Sequence, residues 1–268
     1  MFVIETQYFN LDHIYNSGQA PRWIKLKEGK YVIPHRDKAL KIEQQRDKYD
    51  WTKYRLIMSC SEEDFYNIWF EYFDLRTDYA KENMNVKKLG GKFRIVANRS
   101  NGMHILNQDT FETYVLSKLI EKLGYKEAAN EINRIAEVYG IKHVQSMREA
   151  GKITWYEWPT TELIIDKFKE LKYPNKVDKW LNKLCEEIVY KYYAYTYPGN
   201  WNDICKLYRG CKDVFPLIGV KEILAKNFDC EPEEFADWYL DETENKGLVY
   251  MHILYHILNK PKEEVTWD

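Results

Sequence analysis

The sequence predicts an α+β protein: an N-terminal antiparallel β-sheet domain with helices over residues 1–105, packed on an all-helical body over 106–268. Two patterns carry that expectation. The first sixty residues alternate short apolar and aromatic runs with turn signals, whereas from Gln108 onward apolar residues recur at helical spacing. Length permits a sizeable core and by itself allows either one large domain or two moderate ones in 268 residues.

The runs Phe2-Val-Ile4, Trp23-Ile-Lys-Leu26, Tyr31-Val-Ile-Pro34 and Tyr54-Arg-Leu-Ile-Met58 are strands, because β-branched and aromatic side chains suit a pleated, half-buried surface. Ser17-Gly18 and Glu28-Gly29 mark turns between them. Ser61-Glu-Glu-Asp64 then reads as a helix start, a capping hydroxyl followed by acidic residues that suit the helix dipole. Behind it Phe65, Ile68, Trp69 and Tyr72 share one face, which should pack inward. Lys87-Lys-Leu-Gly-Gly-Lys-Phe-Arg94, with Arg99 nearby, reads as a basic loop, either simply solvated or in contact with phosphates.

Phe111, Val115, Leu116, Leu119, Ile120 and Leu123 form an amphipathic helix that Gly124 ends, and Ala128, Ile132, Ile135, Ala136 and Val138 continue the pattern to Gly140. Further helices are predicted over 160–172, 175–194, 200–208, 219–227, 232–241 and 246–258. Pro159, Pro174, Pro198 and Pro232 sit at starts, where proline is tolerated.

Composition narrows the classes. Forty basic and 42 acidic residues give a net charge of −2, so no global field draws the chain to a polyanion and any DNA contact must come from a local patch. No segment approaches the roughly 18 consecutive apolar residues of a membrane span, and Met1-Phe-Val-Ile-Glu5 lacks a charged region followed by an apolar run. The expectation is a soluble, cytoplasmic protein without membrane contact. Cys60, Cys185, Cys205, Cys211 and Cys230 are scattered without a C-x-x-C pair, which argues against structural zinc, a disulfide framework and an iron–sulfur cluster. With 22 Tyr and 9 Trp, aromatics reach 16%; core filling accounts for most, and base stacking is open to a few.

Three stretches carry a sharper signal: Ser17-Gly-Gln-Ala-Pro-Arg-Trp23, Tyr66-Asn-Ile-Trp-Phe-Glu-Tyr-Phe-Asp-Leu-Arg-Thr-Asp-Tyr-Ala80 and Gly102-Met-His-Ile-Leu-Asn-Gln-Asp-Thr-Phe-Glu112. In order and spacing they resemble the bacterial 8-oxoguanine DNA glycosylase family, within the helix-hairpin-helix glycosylases. Trp158-Pro159, Val220-Lys-Glu222 and the acidic stretch from Cys230 to Leu240 before a final helix add fainter matches. The resemblance implies DNA as partner and no cofactor. It also implies a damaged base swung into a pocket where sheet and helical domains meet; extrusion is physically required because stacked bases hide the glycosidic bond.

By the same resemblance Gly18 offers its carbonyl to the flipped base, a glycine allowing close backbone approach. Tyr250 and Leu254 stand where the family has a base-binding glutamine and phenylalanine, so a different base edge is implied. His252 is added to this base pocket. It lies one turn from His256; that spacing would suit a metal pair, but with no third ligand an ordinary helix face is preferred. Tyr125 stands near the family's asparagine wedge and is a candidate substitute for intercalation. Arg22, Lys87, Lys88, Lys92, Arg94, Arg209 and Gly210 are candidate DNA contacts, with lysines 167, 169, 172, 176, 179 and 183 as further phosphate partners.

For chemistry the family uses a glycine-rich hairpin, a nucleophilic lysine and, some twenty residues later, an aspartate. Here Leu207-Tyr-Arg-Gly-Cys-Lys-Asp-Val-Phe-Pro-Leu-Ile-Gly219 is the only comparable text. Gly210-Cys211-Lys212 keeps the Gly-x-Lys spacing, while Phe215-Pro216 follows at once and no aspartate comes after Pro216. Lys212 and Asp213 are either a compressed catalytic pair, in which an amine attacks the sugar and a carboxylate stabilises its cation, or an exposed loop. Enzyme activity therefore stays open, leaning towards a glycosylase-like hydrolase or lyase with a degenerate hairpin. The expected function is a DNA-binding, base-flipping protein that recognises or acts on a modified base in duplex DNA. The alternatives are a phage-type transferase that modifies an extruded nucleobase and a non-catalytic inhibitor or regulator that binds DNA.

Overall fold

A computed structural model describes residues 1–48, 53–147, 151–191, 202–228, 230–241, 243 and 245–259. The chain runs through β1 (Phe2–Gln7), α1 (Leu11–Asn16), β2 (Ile24–Lys27), β3 (Lys30–His35), β4 (Lys38–Arg46) and β5 (Lys53–Met58). The five strands form one sheet in the order β1-β5-β4-β3-β2, antiparallel at every pairing. Gly29, at φ +66, makes the β2–β3 turn and donates its N–H to Asp12 Oδ2 on α1 at 2.9 Å.

The sequence reading lacked β4. Its apolar content is only Ala39, Leu40 and Ile42 in a nine-residue strand otherwise of charges and amides; Leu40 and Ile42 are buried, because alternate side chains face the core.

Ser61 caps the next helix as predicted, its Oγ accepting from Asp64 N at 3.0 Å. α2 (Glu62–Asp64) passes through a π turn over Phe65–Trp69 into α3 (Phe70–Tyr72), burying Phe65, Trp69 and Tyr72. The expected basic loop is not a loop. Lys87 and Lys88 end α4 (Tyr79–Lys88), Lys92 and Arg94 lie in α5 (Gly91–Arg99), and Gly90 and Gly91, at φ +77 and +42, make the short turn between them.

α6 (Thr110–Leu123) buries the predicted stripe and stops at Gly124, φ +80; α7 (Tyr125–Tyr139) follows. The body beyond is not all-helical. β6 (Lys142–Met147) and β7 (Gly151–Tyr156) pair as an antiparallel ribbon whose Ile153 packs on Val32 of the sheet. Period-two burial of Ile153 and Trp155 explains why this stretch is extended.

Then come α8 (Thr161–Glu170), α9 (Lys176–Lys191), α10 (Asp203–Tyr208), α11 (Lys221–Asn227), α12 (Phe235–Tyr239) and α13 (Lys246–Leu258). Pro198 and the last residues of the helix expected over 175–194 lie outside the described residues. One hydrophobic cluster runs from the sheet through to α13, joining Tyr31, Phe73, Leu116 and Val249. Among the described residues no helix is long and apolar enough to cross a membrane.

Candidate functional site

The segment 103–109, between α5 and α6, is the spine on which the candidate residues hang. Gln19 of the Ser17-Gly-Gln turn clamps it: Oε1 accepts from Leu106 N at 2.8 Å, and Nε2 donates to His104 O at 2.9 Å and Ser17 Oγ at 2.9 Å. Gln108 returns the contact through Nε2 to Gln19 O at 2.7 Å. Burial of both amides leaves little freedom in where Gly18 sits.

Gly18, at φ +80, faces a slot closed by the protein itself. A Cβ there would lie 3.0 Å from Leu258 Cδ1 and 3.2 Å from the Tyr125 ring, and one on Gly219 would lie 2.8 Å from the same ring and 3.3 Å from Leu254 Cδ1. The two glycines thus clear the space that Tyr125 fills. Its hydroxyl meets that of Tyr250, which also donates to Ile218 O at 3.0 Å. Burial raises both phenols well above their ordinary range, so neither serves as a base. Gly18, Tyr250 and Leu254, 236 residues apart at the extremes, therefore meet. Tyr125 belongs with them, turned inward, rather than projecting as a wedge.

His252 does not. Its Nδ1 bonds Ser100 Oγ at 2.5 Å on the α5 side, and burial lowers its pKa to about 3. His256, one turn on, bonds Arg99 at 3.1 Å, and among the described residues no group of three ligating side chains could hold a metal.

The Lys212 loop lies elsewhere. Gly247 N at the start of α13 donates to Lys212 O at 2.8 Å, whereas Gly18 packs against Leu258 at its end; eleven residues of helix separate these points by roughly 16 Å. Lys212 Nζ is held by Asp74 Oδ2 at 2.7 Å and by Thr77 Oγ1, 5.8 Å above the Tyr79 ring. Tyr79 OH donates to the same Asp74 oxygen at 2.8 Å, and Asp74 takes a left-handed φ of +50 to reach them. Asp213 is not the partner: it is exposed and accepts from Cys211 Sγ at 2.9 Å.

The hairpin reading fails for a backbone reason. Gly210 N donates to Leu207 O at 2.9 Å and Cys211 N to Lys206 O at 3.0 Å, so these amides close α10 and offer nothing to a phosphate. No helix follows the turn until Lys221. Arg209 is anchored on Gln108 O at 2.5 Å and Asn107 Oδ1 at 3.2 Å.

Arg22 is likewise internal. Its side chain is 4% exposed, pairs with Glu112 Oε2 at 3.2 Å, donates to Tyr156 O at 2.9 Å and lies 5.6 Å from the Trp158 ring centre. Burial pushes the Glu112 carboxyl up to about 7, against the opposing pull of the guanidinium. Lys92 donates to Asn227 O at 3.0 Å, and Lys167 to Gly140 O at 3.0 Å. Burial lowers the pKa of Lys87, which is half-buried. Lys88, Arg94, Lys176, Lys179 and Lys183 are exposed, the last three at spacing that places them on one face of α9. Asp74 and Glu112 were missed as site partners because each meets its cation across at least 90 residues, a pairing with no local signal.

Comparison with known proteins agrees with this architecture. Residues 1–114 match the 8-oxoguanine DNA glycosylase N-terminal domain. MBOgg1, solved with a low-affinity DNA ligand, superposes with a TM-score of 0.73 at 20% identity, over 94% of this chain and 93% of its own. The 8-oxoguanine glycosylase/lyase of Clostridium acetobutylicum, solved with duplex DNA carrying cytosine opposite 8-oxoG, gives 0.71 at 20% identity, covering 96% and 97%. The 3-methyladenine DNA-glycosylase of Archaeoglobus fulgidus gives 0.65 at 15% identity, covering 97% and 99%. No curated protein matches the sequence. Residues 1–114 thus match the N-terminal domain of the 8-oxoguanine DNA glycosylases, and the whole chain shares the fold of the glycosylases on which it superposes.

Proposed function

We propose that this protein binds duplex DNA and recognises a modified nucleobase extruded into the Gly18 slot, without cleaving the glycosidic bond through Lys212. The observation that carries this reading is the separation of the two candidate centres. A nucleophile must stand within about 3.5 Å of the carbon it attacks, yet the Lys212 backbone meets α13 at Gly247 whereas Gly18 packs against Leu258, eleven residues further on. Lys212 is moreover tied to Asp74 and Thr77. In this reading the sheet unit of residues 1–105 and the helical unit of 106–268 grip the duplex together. A base enters beside Gly18 as the Tyr125 ring leaves.

Fold similarity to proteins solved with DNA supports the partner, and the exposed cations on α4, α5 and α9 supply the charge. The test pairs binding with trapping. Duplexes carrying a panel of damaged or modified bases should be bound with an affinity that falls steeply with salt, and Lys88→Glu with Arg94→Glu should weaken binding about 10-fold or more at low salt. Borohydride should trap no adduct. A covalent adduct abolished by Lys212→Ala, free base released from the duplex, or a mass increase in recovered DNA would each overturn the proposal.

A further inference from the structure

Three phenols meet behind Gly18. Tyr250 gives its proton to Ile218 O at 3.0 Å, so in the contact between the Tyr125 and Tyr250 hydroxyls Tyr125 is the donor. The Tyr208 hydroxyl lies beside them, buried and with no partner in hydrogen-bonding range; burial first, then the neighbouring Tyr125 phenol, push its pKa well above the ordinary range. It therefore keeps a proton to give.

Tyr125 differs from the other two in its freedom. Tyr208 and Tyr250 are fully buried, whereas Tyr125 is partly exposed, opens α7 and follows Gly124, which sits at φ +80 where a Cβ would meet nothing within 4 Å. Its side chain has a route to solvent that theirs lack. The space it would vacate is defined by what touches its ring: Gly18 and Gly219 on the flanks, whose Cβ atoms would lie 3.2 Å and 2.8 Å from it, with Leu258 and Leu254 next to them. At the inner end stand one acceptor, Tyr250 Oη, and one donor, the Tyr208 O–H.

Tyr125 is thus a flat six-membered ring, attached to its chain at the carbon opposite its polar group, and a pyrimidine nucleotide repeats that plan. Its ring joins the sugar at N1, and the opposite atom, C4, carries an oxo or amino group with N3 beside it. Uracil and thymine present an acceptor at O4 and a donor at N3; cytosine presents a donor at N4 and an acceptor at N3. Either pair matches Tyr208 and Tyr250. A purine joins the sugar through its five-membered ring, so its polar edge projects further than a phenol hydroxyl and requires a longer slot. In an inference that rests on base entry beside Gly18, we propose that the base admitted is a pyrimidine, its ring replacing the Tyr125 phenol and its edge opposite the sugar bonding Tyr208 and Tyr250.

Tyr125→Ala in the full chain opens this space without DNA. Thermal unfolding of the variant with 1-methylcytosine, 1-methyluracil, 9-methyladenine, 9-methylguanine and p-cresol reads the slot, the methyl group standing for the sugar or for the tyrosine Cβ. p-Cresol and at least one pyrimidine should raise the midpoint, that pyrimidine binding about 10-fold more tightly than either purine, and whichever pyrimidine leads tells an oxo from an amino group. Adding Tyr208→Phe should weaken pyrimidine binding about 5-fold. Where Tyr125→Ala loses its fold by circular dichroism, the wild-type protein with duplexes differing at one unpaired position gives the same reading: thymine or cytosine there should bind about 10-fold more tightly than adenine or guanine. Purines bound as tightly as pyrimidines, p-cresol bound without either pyrimidine, no probe bound at millimolar concentration, or affinity unaltered by Tyr208→Phe would overturn the proposal. Duplex binding that does not favour a pyrimidine removes this inference alone, whereas no duplex binding, with the methylated bases still discriminated, removes DNA as the partner and leaves the slot chemistry standing.

Discussion

Glu112→Ala is expected to destabilise the protein by about 3–5 kcal/mol, the largest effect of any single truncation considered, because it strands the Arg22 guanidinium in the core with, among the described residues, Tyr156 O and the Trp158 ring for company. The reverse truncation should cost less. With Arg22→Ala the buried carboxyl can take a proton, which a guanidinium cannot lose, so a loss of about 1–3 kcal/mol is expected near neutrality. Acidity separates the two further. The folded-state pKa of Glu112, about 7, lies above its ordinary 4.5, so the native state holds more protons between those values and the stability this group contributes is present below 4.5 and lost as pH rises through 7. Glu112→Gln should flatten that part of the stability profile. Urea unfolding at pH 5 and 8 tests all three variants, and an Arg22→Ala deficit equal to or larger than that of Glu112→Ala would contradict the account.

Gln19→Leu is the second. Leucine fills similar volume, yet it leaves Leu106 N–H and His104 C=O unsatisfied inside the core, at a cost of about 2–4 kcal/mol together. The expected signature is a lower urea midpoint with an unchanged slope, and, since Gln19 fixes Gly18, a loss of base-dependent DNA binding larger than the loss of non-specific binding. A change under about 0.5 kcal/mol, the range of an ordinary surface substitution, would show that the clamp is dispensable.

These residues also show where sequence reasoning reaches and where it stops. Capping and periodicity are local, so Ser61, the α6 stripe and the stop at Gly124 could be read in advance. Gly18, Tyr250 and Leu254 could be singled out too, through resemblance, and they meet in space. Arg22, offered as a DNA contact through resemblance, is buried instead against Glu112, a partner 90 residues away that no local pattern announces. β4 was hidden by its charges, and Lys87 to Arg94 looked like a loop because two glycines dominate a window too short to reveal the helices on either side.

The inward-turned amides at Gly210 and Cys211 shape how a nucleic acid can be held. Main-chain donors grip a phosphate by geometry, whereas lysine and arginine heads grip it by displacing counterions. Without the former at this turn, the DNA binding proposed above would draw here on side-chain charge, and its strength would fall as potassium concentration rises.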